Sequence, residues 1–326
     1  MGDETVEKLT KDSQYREYTR AVNPLGQGTI PPVATADFLH TLHEQGPTRV
    51  IPFDLSEKLE CSWTGTSPAL LSNFIRIEPN EEISTRVNAT SELYYVIRGS
   101  GVSTAGDTEI RWSKGDFVVV PGGRQCKHRA TDDAALYWVH DEPLLAYLGT
   151  TVSEERFAPT LYPAEVCARE LEKVASDPHA HQRNRISVLL GNTAFPQTMT
   201  VTHTLWAMLG ILPTNSVQLP HRHNSVALDL ILDCAPGCYT LIGRGVRDDG
   251  TLLDPIRQDW HPYSAFVTPP FMWHSHHNES GQPAHLIPIQ DAGLHNYLRT
   301  LDIEFSHANQ GRRKSDSQQG VVNELV

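Results

Sequence analysis

Two stretches decide the reading of this chain: Pro220-His221-Arg222-His223-Asn224-Ser225-Val226-Ala227-Leu228-Asp229-Leu230-Ile231-Leu232 and Thr268-Pro269-Pro270-Phe271-Met272-Trp273-His274-Ser275-His276-His277-Asn278. Two histidines at i and i+2 on an extended segment point to one face, so His221 and His223 can reach one metal ion. The apolar run Ser225–Leu232 that follows reads as a strand. In the second stretch a strand, a proline turn and a histidine opening the next strand bring a third imidazole, His274, across the sheet. By the same parity Asp229 shares the face of the paired histidines, and His276 shares the face of His274. The chain holds 16 histidines, and eight of them lie in the 75 residues from His221 to His295. Clustering of this kind points to a metal or acid–base site.

Outward from these stretches the chain reads as short strands punctuated by turns. Ser72–Ile77, Glu92–Arg98, Gly101–Thr104, Phe117–Val120 and Ala135–His140 form one set, separated by Gly, Asp, Asn and Pro. Thr200–Leu209, Ser225–Leu232, Cys238–Gly243, Ala265–Thr268 and Ala284–Ile289 form a second. Many short strands with regular turn signals indicate all-β barrels or sandwiches. Between the sets, Ala164–Val174 has amphipathic helical spacing, and Leu294–Leu301 reads as a closing helix. The predicted organisation is an N-terminal arm over 1–50, a first β block over 51–150, a helical linker over 151–182, a second β block over 183–308 and a disordered tail over 309–326. Helices are predicted in the arm at Asp12–Val22 and Thr35–Glu44. Two similar β blocks suggest an internal duplication.

The composition removes several classes of function. Among 326 residues the formal net charge is −12, which disfavours binding to nucleic acid, where a basic patch neutralises phosphates. No apolar run approaches the ~20 residues of a membrane span, and the polar start MGDETVEKLT lacks the apolar segment of a secretory signal. Five dispersed cysteines without a CxxC pair fit a reducing, cytoplasmic compartment rather than a disulfide framework.

The histidine spacing resembles the cupin superfamily, whose first motif is G-x5-H-x-H-x3,4-E-x6-G and whose second is G-x5-P-x-G-x2-H-x3-N. His221 and His223 match the paired histidines, and Pro269, His274 and Asn278 match the second motif in register. The glutamate position falls on Ala227 or Leu228, and the two glycines of the second motif are Tyr263 and Phe271. A three-histidine site without the carboxylate resembles the gentisate 1,2-dioxygenase and 1-hydroxy-2-naphthoate dioxygenase group. That resemblance implies two tandem cupin jelly-roll barrels. It also implies Fe(II) held by His221, His223 and His274, with O2 as co-substrate, and cleavage of a small hydroxylated or amino-substituted aromatic acid. A homo-oligomer, dimer or tetramer, is implied as well. The first block keeps the scaffold, with Glu92-x6-Gly99 and Gly115-x5-Pro121-x-Gly123. Its ligand positions, however, fall on Arg86, Asn88 and Cys126, so it is expected to be a degenerate cupin without metal. There Glu92 is expected to pair with Arg86, and His128 to serve packing.

His276 and Asp229 are candidate catalytic or ligand-orienting residues. Gln218, Arg222, Trp206, Trp273 and Gln290, with Arg244, are candidate substrate contacts. For the two tryptophans core packing is the competing reading. His179-Ala180-His181 repeats the HxH spacing in a polar linker with no strand after it, and reads as surface. Two alternatives remain open on the sequence: a non-oxidative metal-dependent hydrolase or isomerase, and a cupin that binds a small ligand.

Overall fold

The computed structural model describes residues 3–306, and the predicted tail lies outside them. By contacts the chain divides into two compact units, one ending at Pro32 and one beginning at Val33. The first unit carries the helix Asp3–Thr10 and the single turn Tyr18–Ala21, whose first amides are capped by the Glu17 carboxylate. The helix predicted over Asp12–Val22 is thus one turn, because between Thr10 and Tyr18 no periodic apolar face exists to bury.

The second unit consists of two antiparallel barrels, each made of two sheets. In the first barrel the larger sheet runs Thr160–Tyr162, Phe117–Pro121, Ser91–Arg98, Ala134–His140, Leu71–Ile77, Arg49–Pro52. The smaller runs Glu82–Arg86, Gln125–Ala130, Ser100–Ala105, Thr108–Ser113. The second barrel repeats the order. Its larger sheet is Asp37–Phe38, Ala265–Thr268, Ala227–Asp233, Ala284–Gln290, Trp206–Leu212, Ile186–Leu189. Its smaller sheet is Ile256–Asp259, Cys238–Gly243, Trp273–Asn278, Ser216–His223, Ile303–Phe305.

Strand alternation gives both large sheets two buried faces, one toward the other barrel and one toward their own interior. Leu93, Tyr95, Phe117, Val119, Tyr137 and Val139 point out of the first barrel, where Ala207, Leu209, Leu228, Leu230, Val267 and Ile287 of the second meet them in one shared core. The intervening residues fill the barrel interiors: Tyr94, Val118, Val120 and Trp138 in the first, Ile231, Phe266 and Leu286 in the second.

The segment from Val33 to Pro52, read from sequence as part of the arm, is built into the barrels. Asp37–Phe38 pairs with Ala265–Phe266 of the second barrel, and Arg49–Pro52 pairs with the first. Phe38 stacks on Phe53 with ring centroids 4.0 Å apart, so the predicted helix over Thr35–Glu44 yields to a strand and keeps only the turn Thr41–Glu44. His43 then joins both barrels. Its Nδ1 accepts from Arg98 Nη1 at 2.8 Å, and its Nε2 lies 3.1 Å from the Tyr263 carbonyl. Arginine only donates and a carbonyl only accepts, so this imidazole is neutral with its hydrogen on Nε2.

Two further differences from the sequence reading concern the linker and the first barrel. After His179 the chain makes a short 3-10 turn, Ala180–Gln182, and a strand does follow, Ile186–Leu189. Glu92 does not pair with Arg86: strand alternation leaves Arg86 exposed while Glu92 is fully buried. Glu92 instead accepts from Tyr94 OH at 2.6 Å and from Trp138 Nε1 at 3.1 Å, and burial pushes its carboxyl up to about 8.

Candidate metal centre

The centre lies inside the second barrel. The strand Ser216–His223 and the strand Trp273–Asn278 pair antiparallel, with His221 opposite His274 and Gln218 opposite His276. Four imidazoles therefore share the interior face. Ring centroids are 4.1 Å apart for His221–His274, 4.9 Å for His223–His274, 5.6 Å for His274–His276 and 5.9 Å for His221–His276. All four residues are at most 5% exposed. Burial is the main reason that each titrates below the usual histidine range, His223 down to about 4; neighbouring cations, the other rings or Arg185, add to the shift. Four neutral rings thus face one another at neutral pH.

Their hydrogen-bond partners sort them. His221 Nδ1 lies 3.1 Å from the Leu219 carbonyl, His223 Nδ1 2.8 Å from the Ser225 carbonyl and His274 Nδ1 2.9 Å from the Met272 carbonyl. A carbonyl accepts only, so each of these rings carries its hydrogen on Nδ1 and keeps a lone pair on Nε2. A backbone carbonyl in this place is the usual outer partner of a metal-bound histidine. His276 differs, because its Nδ1 lies 2.8 Å from the Thr240 hydroxyl. By distance alone, His221, His274 and His276 form the tight group, with ligand atoms within 4.8 Å of one another. Distance groups His276 with His221 and His274, whereas the backbone anchors group His223 with them. The three backbone-anchored rings are the set whose lone pairs are available.

The carboxylate position of the motif is Ala227, which is buried opposite Thr268 and Gln290. Asp229 does lie in the interior, 2% exposed, and accepts from the Thr268 hydroxyl at 2.8 Å. Burial raises its carboxyl to about 6. Gln218 donates to Asn184 Oδ1 at 3.0 Å and approaches His221 Nε2 at 3.4 Å. Gln290 accepts from the Ser225 hydroxyl at 2.9 Å, and Trp206 lies opposite it in the sheet with a buried indole N–H that has no partner.

Arg222 and Trp273 do not face the cavity. Each alternates with a centre histidine along its strand, which turns it to the outer face. There Arg222 pairs with Glu304 at 2.5 Å and lies over the rings of Phe271 and Trp273. Arg244 is exposed. The cation that does face the cavity is Arg185, which the sequence reading missed. It opens the strand Ile186–Leu189, half-buried, with Nη2 3.4 Å from His276 Nε2. Its charge acts on all four histidines and on Asp229, and it makes no ion pair among the described residues. The only sequence signal was its place near the start of the second β block, directly ahead of the strand Ile186–Leu189.

The Asn278 amide explains the last residue of the motif. It donates to the carbonyls of Leu212, Pro213 and Gln282, between 2.8 and 3.1 Å, and so ties two turns to the strand carrying His274. The motif's missing glycines keep their backbone: Tyr263 has φ 59° and Phe271 φ 62°, where the first barrel has Gly115 and Gly123 at φ 93° and 83°.

Two barrels with this strand order, the second holding an interior cluster of histidines, define a two-barrel cupin fold. Residues 73–140 match the cupin domain family profile. Over 93% of its length the fold superposes on a salicylate 1,2-dioxygenase from Pseudoaminobacter salicylatoxidans, with TM-score 0.71, 12% identity and 97% of that chain covered. A structure of the same enzyme as an adduct with gentisate gives TM-score 0.71 and covers 94% of that chain. Among curated proteins, 95 residues are 33% identical to a 5-aminosalicylate 1,2-dioxygenase of Comamonas sp, covering 29% of this chain and 25% of that protein. Another 27% identity extends over 134 residues to gentisate 1,2 dioxygenase 1 of Aquipseudomonas alcaligenes, covering 41% of this chain and 35% of that protein. The matched stretches thus span between a quarter and about a third of the length of these relatives. No helix among the described residues is long and apolar enough to cross a membrane.

Proposed function

We propose that the second barrel is the active site of an Fe(II)-dependent, O2-using, ring-cleaving dioxygenase. Its substrate would be a small hydroxylated or amino-substituted aromatic carboxylic acid of the gentisate or salicylate kind. The observation that carries this reading is the convergence of three Nε2 lone pairs, on His221, His223 and His274, beside a cation without a carboxylate partner. A neutral three-nitrogen donor set with no carboxylate fits a divalent metal that must also take an anionic chelating substrate. Iron held there would supply open coordination positions and the redox capacity for dioxygen chemistry.

This chain's own residues would do the rest. The Leu219, Ser225 and Met272 carbonyls orient the three imidazoles. Arg185 supplies the charge that a substrate carboxylate needs in a buried cavity, and His276 faces the same space. The Trp206 indole N–H and the Asn184 amide, buried without acceptors, are further donors toward a ligand. Named relatives acting on 5-aminosalicylate and gentisate agree with this class of substrate. The first barrel would be a scaffold, its interior closed by Glu92, Tyr94 and Trp138.

The test is anaerobic reconstitution with Fe(II), followed by oxygen uptake with gentisate, 5-aminosalicylate and salicylate. Uptake that requires both iron and one of these acids supports the reading. Iron-loaded protein that consumes no oxygen with any hydroxy- or aminobenzoate overturns it, and turnover that persists without O2 assigns a non-oxidative reaction instead.

A further inference from the structure

The two barrels are entered and closed by matching parts. The turn Ser67–Leu70 enters the first barrel: Ser67 N donates to the Leu70 carbonyl at 2.9 Å and Leu70 N to Ser67 Oγ at 3.0 Å. The turn Thr202–Leu205 enters the second with the same two bonds, at 3.2 and 2.9 Å. The closing helices Glu142–Leu148 and Ala292–Leu298 correspond as well. Each follows an aspartate that accepts a backbone N–H, Asp141 from Ser91 and Asp291 from Val226. Tyr147 and Tyr297 therefore hold equivalent places near the helix ends. Counting back equally from the two turns, Trp63 in the first barrel corresponds to Thr198 in the second.

That exchange has a consequence in space. In the first barrel the Trp63 indole lies beside the closing helix, 6.3 Å from the Tyr147 ring between centroids. In the second barrel threonine supplies no ring, and a cavity of about 620 Å³ opens beside the helix, lined by Phe195, Thr198, His203, Leu294, Tyr297 and Arg156 among others. Small-molecule sites run from roughly 300 to 1,000 Å³. None of the four histidines of the metal centre lines this cavity. Its walls are aromatic, with Phe195 and His203 rings 5.4 Å apart and Tyr297 60% exposed. Burial holds His203 below the usual histidine range, so the positive charge at the cavity comes from Arg156. Arg156 pairs only with Glu154, at 2.9 Å, and both side chains are exposed. An exposed pair of this kind contributes little and exchanges readily.

We propose that this cavity is a second binding site, separate from the metal centre, for a small aromatic carboxylic acid. The ring of the acid takes the place that Trp63 occupies in the first barrel, and its carboxylate faces Arg156. Stacked and edge-on contacts with Phe195, His203 and Tyr297 favour an aromatic ring over an aliphatic chain of equal size. A guanidinium favours a planar carboxylate, which it can bind through two parallel hydrogen bonds. Residues 1–2 and 307–326, outside the described residues, include no Phe, Tyr or Trp, so they cannot supply the ring. The site requires neither iron nor the dioxygenase reaction.

The test titrates 4-fluorobenzoate into the metal-free full chain carrying Arg185→Gln, which removes the cation of the centre, and follows bound probe by 19F NMR. Saturable binding of one equivalent is expected. Adding Thr198→Trp, which puts the first barrel's indole into the cavity, should abolish it. Phe195→Leu, a milder change should Thr198→Trp fail to fold, should weaken binding about fivefold, the scale of one aromatic contact. Arg156→Gln should weaken it about fivefold as well, the scale of an exposed ion pair, and the uncharged 4-fluorobenzyl alcohol should bind the unaltered cavity equally weakly. Absence of binding at millimolar probe overturns the proposal. So does an affinity that a folded Thr198→Trp or Phe195→Leu leaves unchanged, because the probe then binds elsewhere. An alcohol bound as tightly as the acid refutes the carboxylate, and a crystal with a neighbouring chain's aromatic side chain seated in the cavity assigns the place to an interface instead. Because the measurement uses no iron and no turnover, its failure and a failure to consume oxygen are separate results.

Discussion

His274 faces three rings at once, and its hydrogen bond to Met272 fixes which nitrogen it presents. His274→Ala should therefore lose both bound iron and oxygen uptake, as elemental analysis and an oxygen electrode would show; full activity in that variant would refute the ligand assignment. His223→Ala and His276→Ala separate the two possible triads. If the tautomers decide, His223→Ala abolishes stoichiometric iron binding while His276→Ala keeps the metal and loses turnover. The reverse pattern would install His276 as the ligand. Arg185→Gln removes the cation without emptying the space. A hydrogen bond to a charged group contributes about 1.5–3 kcal/mol, so KM for a carboxylate substrate should rise by roughly 10- to 100-fold. Equal KM values for the variant and wild type would show that the substrate carboxylate lies elsewhere.

At the scale of elements, the tight points are where a turn passes under a strand. A Cβ on Gly122 would stand 2.0 Å from the Ala89 carbonyl oxygen, so Gly122→Ala forces backbone apart. Overpacking of this kind costs about 1–3 kcal/mol, and the thermal midpoint of Gly122→Ala should fall by several degrees; an unchanged midpoint would show that the turn yields freely. The second barrel shows the opposite economy. Tyr263 and Phe271 accept the left-handed conformation that Gly115 and Gly123 adopt without strain. The scaffold's turns are therefore required by the sheet connections even where the residue disfavours them by about 1–2 kcal/mol. That explains why the motif's glycines are absent while its proline, histidine and asparagine remain in register.

For the whole molecule, buried titratable groups set a pH optimum for stability. Burial lowers His43 to about 4 and His128 and His140 to about 3, with the four rings of the centre moving the same way. Below the unfolded histidine value near 6.5 the unfolded chain binds protons that the folded chain refuses. Each such histidine then removes about 1.4 kcal/mol of stability per pH unit of acidification, down to its folded value. Glu92, raised to about 8, and Asp291, raised to about 7, act oppositely, since the folded state keeps protons the unfolded state has released. Below pH 6.5 the histidines outnumber the raised carboxyls. Above pH 7 Glu92 alone continues to act. Metal-free protein should be most stable near pH 6.5, by urea midpoints measured at pH 5, 6.5 and 8, and Glu92→Gln should remove the decline toward pH 8. A midpoint that rises steadily from pH 6.5 to 8 in the unsubstituted protein would contradict this account.

The local sequence determined what repeats locally. Period-two alternation placed His221 with His223 and His274 with His276, and turn residues bounded the strands, because side-chain direction along a strand needs no knowledge of the partner strand. The same rule, applied to Arg222 and Trp273, already turns both away from the cavity. The opening excess of histidines likewise became a site only through spacing. What the tertiary structure alone decided was everything carried by long-range pairing. It made Val33–Pro52 a strap shared by two barrels, and it brought Arg185, ahead of the first strand of the second block, to the rim of the centre. It also turned Glu92 toward Tyr94 and Trp138 rather than Arg86. Above all it set the partner of each imidazole, and so divided four equivalent-looking histidines into three anchored on backbone carbonyls and one held on a hydroxyl.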